Sequence, residues 1–120
     1  MMLSLHWEGA GRVLAEGMLN GIPAIATNRG GQPEMIGDGG IKLDLPSQLY
    51  AKPYNRLLDP EGVSQIAALI ERFFDDEEYY QAFVKKAKNV GKERHNLKKN
   101  GDALATFFED VCAKGPRQDW

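Results

Sequence analysis

Two glutamates and a group of glycines near the start of the chain are residues of the kinds, and at the spacing, that can bind a polar ligand. Seven residues separate Glu8 from Glu16, and Gly9 and Gly11 follow the first glutamate. Glycine has no Cβ, so the backbone at these positions can approach a ligand closely. A carboxylate can accept hydrogen bonds from neighbouring sugar hydroxyls. The pattern favours a pocket that holds phosphate against backbone amides and sugar hydroxyls against carboxylates, as a nucleotide-sugar or another sugar phosphate requires.

Such a pocket needs a helix whose N-terminus lies beside these residues. Residues 11–20 place apolar or small groups at helical spacing, and Asn20-Gly21 is a C-cap signal. The unpaired amides at the start of this helix would form an anion site. The apolar run 22–27 then predicts a buried parallel strand, with Pro23 at its beginning because proline cannot donate to a ladder.

The rest of the chain predicts turns, one more strand and three helices. Gly30-Gly31 marks a turn, Pro33-Glu34 can open one helical turn, and residues 41–45 alternate like a short strand. Residues 46–60 have no clear period and predict a loop. Three apolar stripes follow, with a break predicted at Asn100-Gly101-Asp102 before the last of them. Four phenylalanines in these stripes are core candidates: Phe73, Phe74, Phe107 and Phe108.

This order of elements predicts an α/β fold with a small parallel sheet, flanking helices and a helical C-terminal half. Two strands alone make a poor sheet, and parallel sheets have helices on both faces. The chain therefore resembles half of a doubly wound domain. Either residues 1–5 add a strand or another chain completes the core. We predict one domain over residues 1–114 and a flexible tail over residues 115–120.

Composition excludes several classes of protein. The 120 residues carry a net charge of −2 and are 42% hydrophobic and 27% charged, which is typical of a soluble globular domain and does not favour nucleic acid as a partner. No apolar run approaches the ~20 residues that span a bilayer, and the first residues lack the features of a signal peptide. Cys112 is the only cysteine, so no internal disulfide can form. We expect a cytoplasmic protein.

Several motifs in order resemble one enzyme family. The spacing of Glu8 and Glu16 is followed by Gly-Ile-Pro-Ala-Ile-Ala at residues 21–26 and by Gly-Gly-Gln-Pro-Glu at residues 30–34. Together they resemble the C-terminal domain of a family 4 (group 1) glycosyltransferase, a retaining enzyme with two Rossmann-like domains in the GT-B architecture. The close resemblance covers about residues 4–45. It implies that the fold is a partial Rossmann-like domain.

The resemblance also implies roles for individual residues. Glu8 would be the catalytic residue, contacting the transferred sugar near its reacting carbon, and Glu16 would hold the ribose hydroxyls. Gly30 and Gly31 would either contribute amides to the donor pocket or form only a turn. The donor would be a UDP- or GDP-sugar, with no metal or other cofactor, and a hexosyl group would pass to an acceptor hydroxyl with retention. Four further residues would face the donor's sugar and diphosphate with their amides: Gly9, Ala10, Gly11 and Arg12.

The chain also departs from the family pattern. The family's diphosphate-binding Arg and Lys precede the first glutamate, where this sequence has no counterpart, and the acceptor-binding N-terminal domain lies outside these 120 residues. We therefore expect the isolated chain to be inactive. The alternative is a non-catalytic truncated module or subunit that associates with a partner chain, either as a homo-oligomer or with an N-terminal domain.

Each site residue also has a simpler interpretation. Glu16 can form a surface ion pair with Arg12, worth about 0.2–0.5 kcal/mol, and Glu8 can be a solvated loop acid. Gly9-Ala10-Gly11 begins a dinucleotide fingerprint, but Leu14 stands where its third glycine belongs. His6 and His95 have no partner at metal-ligand spacing. The lysine-rich stretch 85–99 predicts a solvated helix face, or a weak contact with a membrane surface.

Overall fold

The computed structural model describes residues 1–115. Its first half alternates two helices with two strands, and its second half is three helices after one 3₁₀ turn at Ser47–Tyr50. The predicted tail, from residue 116 on, lies outside the described residues. The regular elements are α1 (Arg12–Leu19), β1 (Ala24–Thr27), α2 (Gln32–Ile36), β2 (Gly40–Leu43), α3 (Pro60–Asp75), α4 (Glu77–Arg94) and α5 (Leu97–Lys114).

The sheet of the described residues has two parallel strands. Ala24 of β1 lies opposite Gly40 of β2, and Thr27 lies opposite Leu43. The segment before α1 adds only a single bridge, in which the Met2 amide donates to the Ile25 carbonyl at 2.8 Å. Of the two alternatives for completing the sheet, a strand from residues 1–5 is therefore present only as one bridge. The predicted fold class is confirmed: a small parallel sheet with flanking helices and a helical C-terminal half, as in a partial Rossmann-like domain.

The core forms where α1, α4 and the sheet meet. Leu14 and Met18 stand one helical turn apart on α1, and both are buried. Gly91 allows α4 to cross α1 closely, because a Cβ at this position would lie 2.7 Å from the Met18 carbonyl oxygen. Five more apolar residues complete the cluster: Ala24, Ala26, Ile36, Ala87 and Val90.

Side-chain caps fix the starts of the three long helices. Asp59 accepts from the Gly62 amide at 2.7 Å, and Asp76 accepts from the Tyr79 amide at 2.9 Å. Asn96 accepts from the Lys99 amide at 2.9 Å, so α5 begins at Leu97 and runs through Gly101. The predicted break at residues 100–102 is therefore wrong. A strong N-cap upstream outweighs one interior glycine, which costs only about 1 kcal/mol relative to alanine.

The core predictions for the phenylalanines are only partly confirmed. Phe73 is half-buried between α3 and α4, with its ring centroid 5.4 Å from Tyr79. Phe74, Phe107 and Phe108 are exposed, so their assignment to the core is wrong. None of the residues of α5 is buried. Helical spacing shows that a helix has an apolar face, but it does not show what covers that face. Within residues 1–115, no helix combines the length and apolar character needed to cross a membrane.

Candidate functional site

The loop that carries Glu8 is held against the Gly-Gly turn by its backbone. The Gly31 amide donates to the Glu8 carbonyl oxygen at 2.7 Å. A Cβ on Gly31 would collide with the Gly9 carbonyl oxygen, and one on Gly30 would collide with that of Glu8. Gly30 also has a φ of +60°, which L side chains rarely adopt. Only glycines at these two positions allow the turn to approach the Glu8 loop so closely.

The start of α1 has no side-chain cap. Gly11 is the N-cap residue, its carbonyl accepts from the Leu14 amide at 2.8 Å, and the first turn contains no acid. The first amides of the helix therefore receive no side-chain acceptor, and the positive end of the helix dipole lies beside the Glu8 loop. Gly9 is open, with nothing within 4 Å of an added Cβ, whereas Gly11 is buried against Leu14 and Met2. This arrangement suits an anion at the Gly9 side of the helix start.

The two glutamates lie in different surroundings. Glu8 is half-buried in its loop, and Glu16 is exposed on α1. Glu16 lines a cavity of about 330 Å³ between α1, the first two residues and the segment before β1, and Glu8 is not part of that lining. No basic group of residues 1–115 lies within 4.0 Å of the Glu16 carboxylate, so the surface pair with Arg12 is not formed. The structure thus groups Glu8 with Gly9, Gly30 and Gly31, and it places Glu16 at a separate cavity.

The Gly-Gly-Gln-Pro-Glu segment is anchored from behind by the end of α4. A helix as short as α2 cannot pair all of its carbonyls locally, and those of Glu34 and Met35 receive side-chain partners from the end of α4. Arg94 donates from Nη1 to the Glu34 carbonyl oxygen at 2.7 Å, and Nε2 of His95 lies 2.9 Å from the Met35 carbonyl oxygen. His95 is therefore a packing residue of α2. In the part of the chain that the structure describes, no three His, Cys, Asp or Glu side chains are grouped to hold a metal ion.

Comparison with known proteins identifies the family. The model of the family described as "Glycosyl transferases group 1" matches residues 1–90. This range includes Glu8 and Glu16 and the motifs at residues 21–26 and 30–34. The chain belongs to the group 1 glycosyltransferases. The membership supports glycosyl transfer as the function of the domain. Neither the curated proteins nor the solved structures gave a significant match.

In this group 1 glycosyltransferase, Arg29 also lies at the candidate site, although its sequence pattern did not predict a role there. Its guanidinium carbon lies 4.0 Å from the centroid of the Tyr50 ring and 5.6 Å from that of Trp7, the residue before Glu8. Its Nε atom is buried and has no hydrogen-bond partner among residues 1–115. The only feature of the sequence that could have indicated a role for Arg29 is its position, as a basic residue between the end of a predicted strand and the Gly-Gly turn.

Gln32 of the same glycosyltransferase motif was also missed as a candidate. Its side chain is fully buried at the start of α2, and neither Oε1 nor Nε2 has a hydrogen-bond partner among the described residues. Burying an unpaired amide is unfavourable by roughly 1–3 kcal/mol. Gln32 directly follows Gly31 in the chain, so this unfavourable burial occurs next to the residue whose amide binds the Glu8 carbonyl.

Proposed function

We propose that this chain is the nucleotide-sugar-binding part of a family 4, retaining glycosyltransferase of GT-B architecture. It binds a UDP- or GDP-sugar, whose hexosyl group passes to an acceptor hydroxyl with retention. The observation that carries this proposal is the hydrogen bond from the Gly31 amide to the Glu8 carbonyl, which holds the backbone of the Glu8 loop against the Gly-Gly turn, just ahead of the uncapped start of α1 in the chain. A carboxylate and a set of unpaired amides at one place suit a sugar linked to a diphosphate.

In this proposal each predicted residue has a separate task. Glu8 contacts the transferred sugar near its reacting carbon and stabilises the positive charge that develops there. The amides of residues 9–12 face the sugar and the diphosphate. The Gly31 amide is occupied by Glu8, so Gly31 acts by positioning the loop rather than by binding the donor. Gly30 supplies the left-handed turn that brings Gly31 into place.

Glu16 holds the ribose hydroxyls. Two observations support this role: the carboxylate has no ion-pair partner within 4.0 Å among residues 1–115, and it lines a cavity of about 330 Å³ beside α1. A cavity of that volume is in the range of small-molecule sites. An unpaired carboxylate is available for the two hydroxyls of a ribose ring, which a surface ion pair would have occupied.

Calorimetric titration of the purified chain with UDP- and GDP-sugars tests the proposal. We expect weak binding, and we expect Glu16→Ala to reduce the affinity by about tenfold or more, because a hydrogen bond to a charged group contributes roughly 1.5–3 kcal/mol. Glu71→Ala is the matched control, since Glu71 is an exposed glutamate on α3, away from the site. No binding of any donor at millimolar concentration, or equal affinities for the two variants, would contradict the proposal.

The exposed face of α5 supports the second function, a non-catalytic module that associates with a partner chain. Several of its large apolar side chains are 47–59% exposed, namely Leu104, Phe107, Phe108 and Val111. Exposed apolar surface of this kind is typical of an interaction site. Sugar transfer by the purified chain alone would exclude a purely non-catalytic role.

A further inference from the structure

We propose that Arg29 is an anion-binding residue of this site and that it binds the diphosphate of the donor. The inference rests on the proposed function for the identity of the anion. In the family that the chain resembles, the diphosphate-binding basic residues lie upstream of the first glutamate. Here the positive charge would come from Arg29, in the turn after β1.

The position of Arg29 in the sheet is the first argument. Arg29 lies two residues beyond Thr27, the last residue of β1, and the neighbouring Asn28 amide donates to the carbonyl of Leu43, the last residue of β2, at 2.8 Å. The turn therefore sits at the carboxyl ends of both parallel strands. Ligands of open α/β sheets bind at this edge. Two residues further on, Gly31 holds the Glu8 loop, so Arg29 and Glu8 share one edge of the molecule.

The second argument is that the guanidinium is held in place before any ligand arrives. It lies over the Tyr50 ring, with Trp7 on the Glu8 loop as a second aromatic neighbour. Tyr50 ends the 3₁₀ turn, and the buried Leu49 fixes that turn to the body of the protein. Stacking on an aromatic ring orients the planar group and leaves its edge free for hydrogen bonds. An arginine fixed in this way loses little conformational entropy when it binds an anion.

The third argument is that this cation has no counter-ion among residues 1–115. No carboxylate of residues 1–115 lies within 4.0 Å of the Arg29 guanidinium, and its Nε atom is buried without a partner. Arg72 shows the contrasting case, because it stacks on Tyr79 at 3.8 Å and also has Asp76 at 3.8 Å from its Nε. A partly desolvated charge without a partner is unfavourable, and a bound oxyanion relieves that cost. The fork of guanidinium N–H groups matches phosphate oxygens.

The experiment measures inorganic pyrophosphate binding to the whole chain by calorimetry at low ionic strength. We expect Arg29→Gln to weaken binding about tenfold, Arg29→Lys to recover part of that loss, and Arg72→Gln to bind like the wild type. We expect UDP or GDP to show the same loss in Arg29→Gln, while the matching nucleoside, uridine or guanosine, shows none. Failure of the wild-type chain to bind pyrophosphate at millimolar concentration, or equal pyrophosphate affinities of Arg29→Gln and Arg72→Gln, overturns the inference.

A second measurement covers the case in which Arg29→Gln does not fold. Nitrogen-15 NMR of the wild-type chain follows the side-chain N–H groups of its arginines as pyrophosphate is added. A saturable shift of the Arg29 signal, with the Arg72 signal unchanged, supports the inference, and an unchanged Arg29 signal overturns it.

The two proposals fail in different ways. Pyrophosphate binding through Arg29 without any binding of UDP- or GDP-sugars leaves the anion site standing and overturns the proposed donor. Donor binding that depends on Glu16, together with pyrophosphate binding that is independent of Arg29, leaves the proposed function standing and overturns the role of Arg29.

Discussion

At the scale of single residues, Gly31 shows how a missing side chain can let two backbone segments meet. Its amide binds the Glu8 carbonyl at 2.7 Å, and the space where its Cβ would lie is filled by the Gly9 carbonyl oxygen. The sequence predicted a turn at this position, and it left open whether the turn contributes amides to the pocket. The hydrogen bond joins residues 23 positions apart, which no local pattern could reveal.

Gly31→Ala should therefore move the Glu8 loop. We expect a loss of about 1–3 kcal/mol in the free energy of unfolding from overpacking, and donor binding reduced at least tenfold. Gly101→Ala is the control, because a Cβ there meets nothing within 4 Å and Gly101 belongs to α5, outside the proposed donor site. Urea denaturation and calorimetry measure the two effects. If the alanine variants behave alike, close backbone contact is not what positions the loop.

Replacing Gln32 should raise the free energy of unfolding, whereas replacing Gly31 should lower it. Its carboxamide is fully buried and both polar atoms lack partners among residues 1–115. Gln32→Met replaces it with an apolar side chain of similar shape, so we expect the free energy of unfolding to rise by about 1–2 kcal/mol. Gln65→Met, at an exposed position of α3, should change it by less than about 0.5 kcal/mol. A destabilised Gln32→Met variant in urea denaturation would show that the amide has a partner in solution.

At the scale of elements, the crossing of α1 and α4 fixes the back of the site. Gly91 of α4 meets the Met18 carbonyl of α1, and Arg94 and His95 at the end of α4 bind carbonyls of α2. The sequence predicted α1 and the strand after it well, because capping signals and apolar runs act locally. It could not predict that α4, some seventy residues later, would hold them. Which helix faces meet depends on packing over the whole chain.

Gly91→Ala tests this crossing. The added methyl group would lie 2.7 Å from the Met18 carbonyl oxygen, so we expect a loss of about 1–3 kcal/mol in the free energy of unfolding. Gly101→Ala is the matched helical control, because nothing lies within 4 Å of its Cβ. It should stabilise α5 by about 0.5–1 kcal/mol, since alanine is the better helix former. The midpoint temperature of thermal unfolding, followed by circular dichroism, should fall for Gly91→Ala and rise for Gly101→Ala. A rise for both variants would argue against the close crossing.

At the scale of the whole molecule, the chain has more surface than its mass requires. Its accessible surface is 8897 Å², against about 6500 Å² for a compact monomer of this mass. Its radius of gyration is 18.4 Å, where about 14 Å is typical of 120 residues. The excess agrees with a two-stranded sheet and with a helix, α5, that has no buried residue. Association with a further copy would cover part of this surface.

We therefore predict that the chain self-associates through α5 as its concentration rises. Light scattering coupled to size-exclusion chromatography should give a mass above that of one chain. Phe107→Glu should return it to a monomer, because a charge in an apolar interface is unfavourable. Asp110→Lys is the control on the same helix. A monomeric mass for the wild-type chain at all concentrations would contradict this prediction.

The sequence by itself determined the local features of this glycosyltransferase domain. The glycine motifs, the strand after Pro23 and the C-cap signal at Asn20-Gly21 act over a few positions, and the family match covers the residues that carry them. The break predicted at residues 100–102 is wrong because Asn96 caps a helix that runs through Gly101. A helix cap and an interior glycine have effects of similar size, so the sequence alone did not show which of the two would prevail.

Only the tertiary structure decided which of these residues meet. It joined Glu8 to Gly31, set Glu16 at a separate cavity, placed Arg29 over the Tyr50 ring and near Trp7, and left α5 without a buried residue. Contacts of this kind join distant parts of the chain. They depend on how all the elements pack together, and the spacing of residues within any one element does not contain that information.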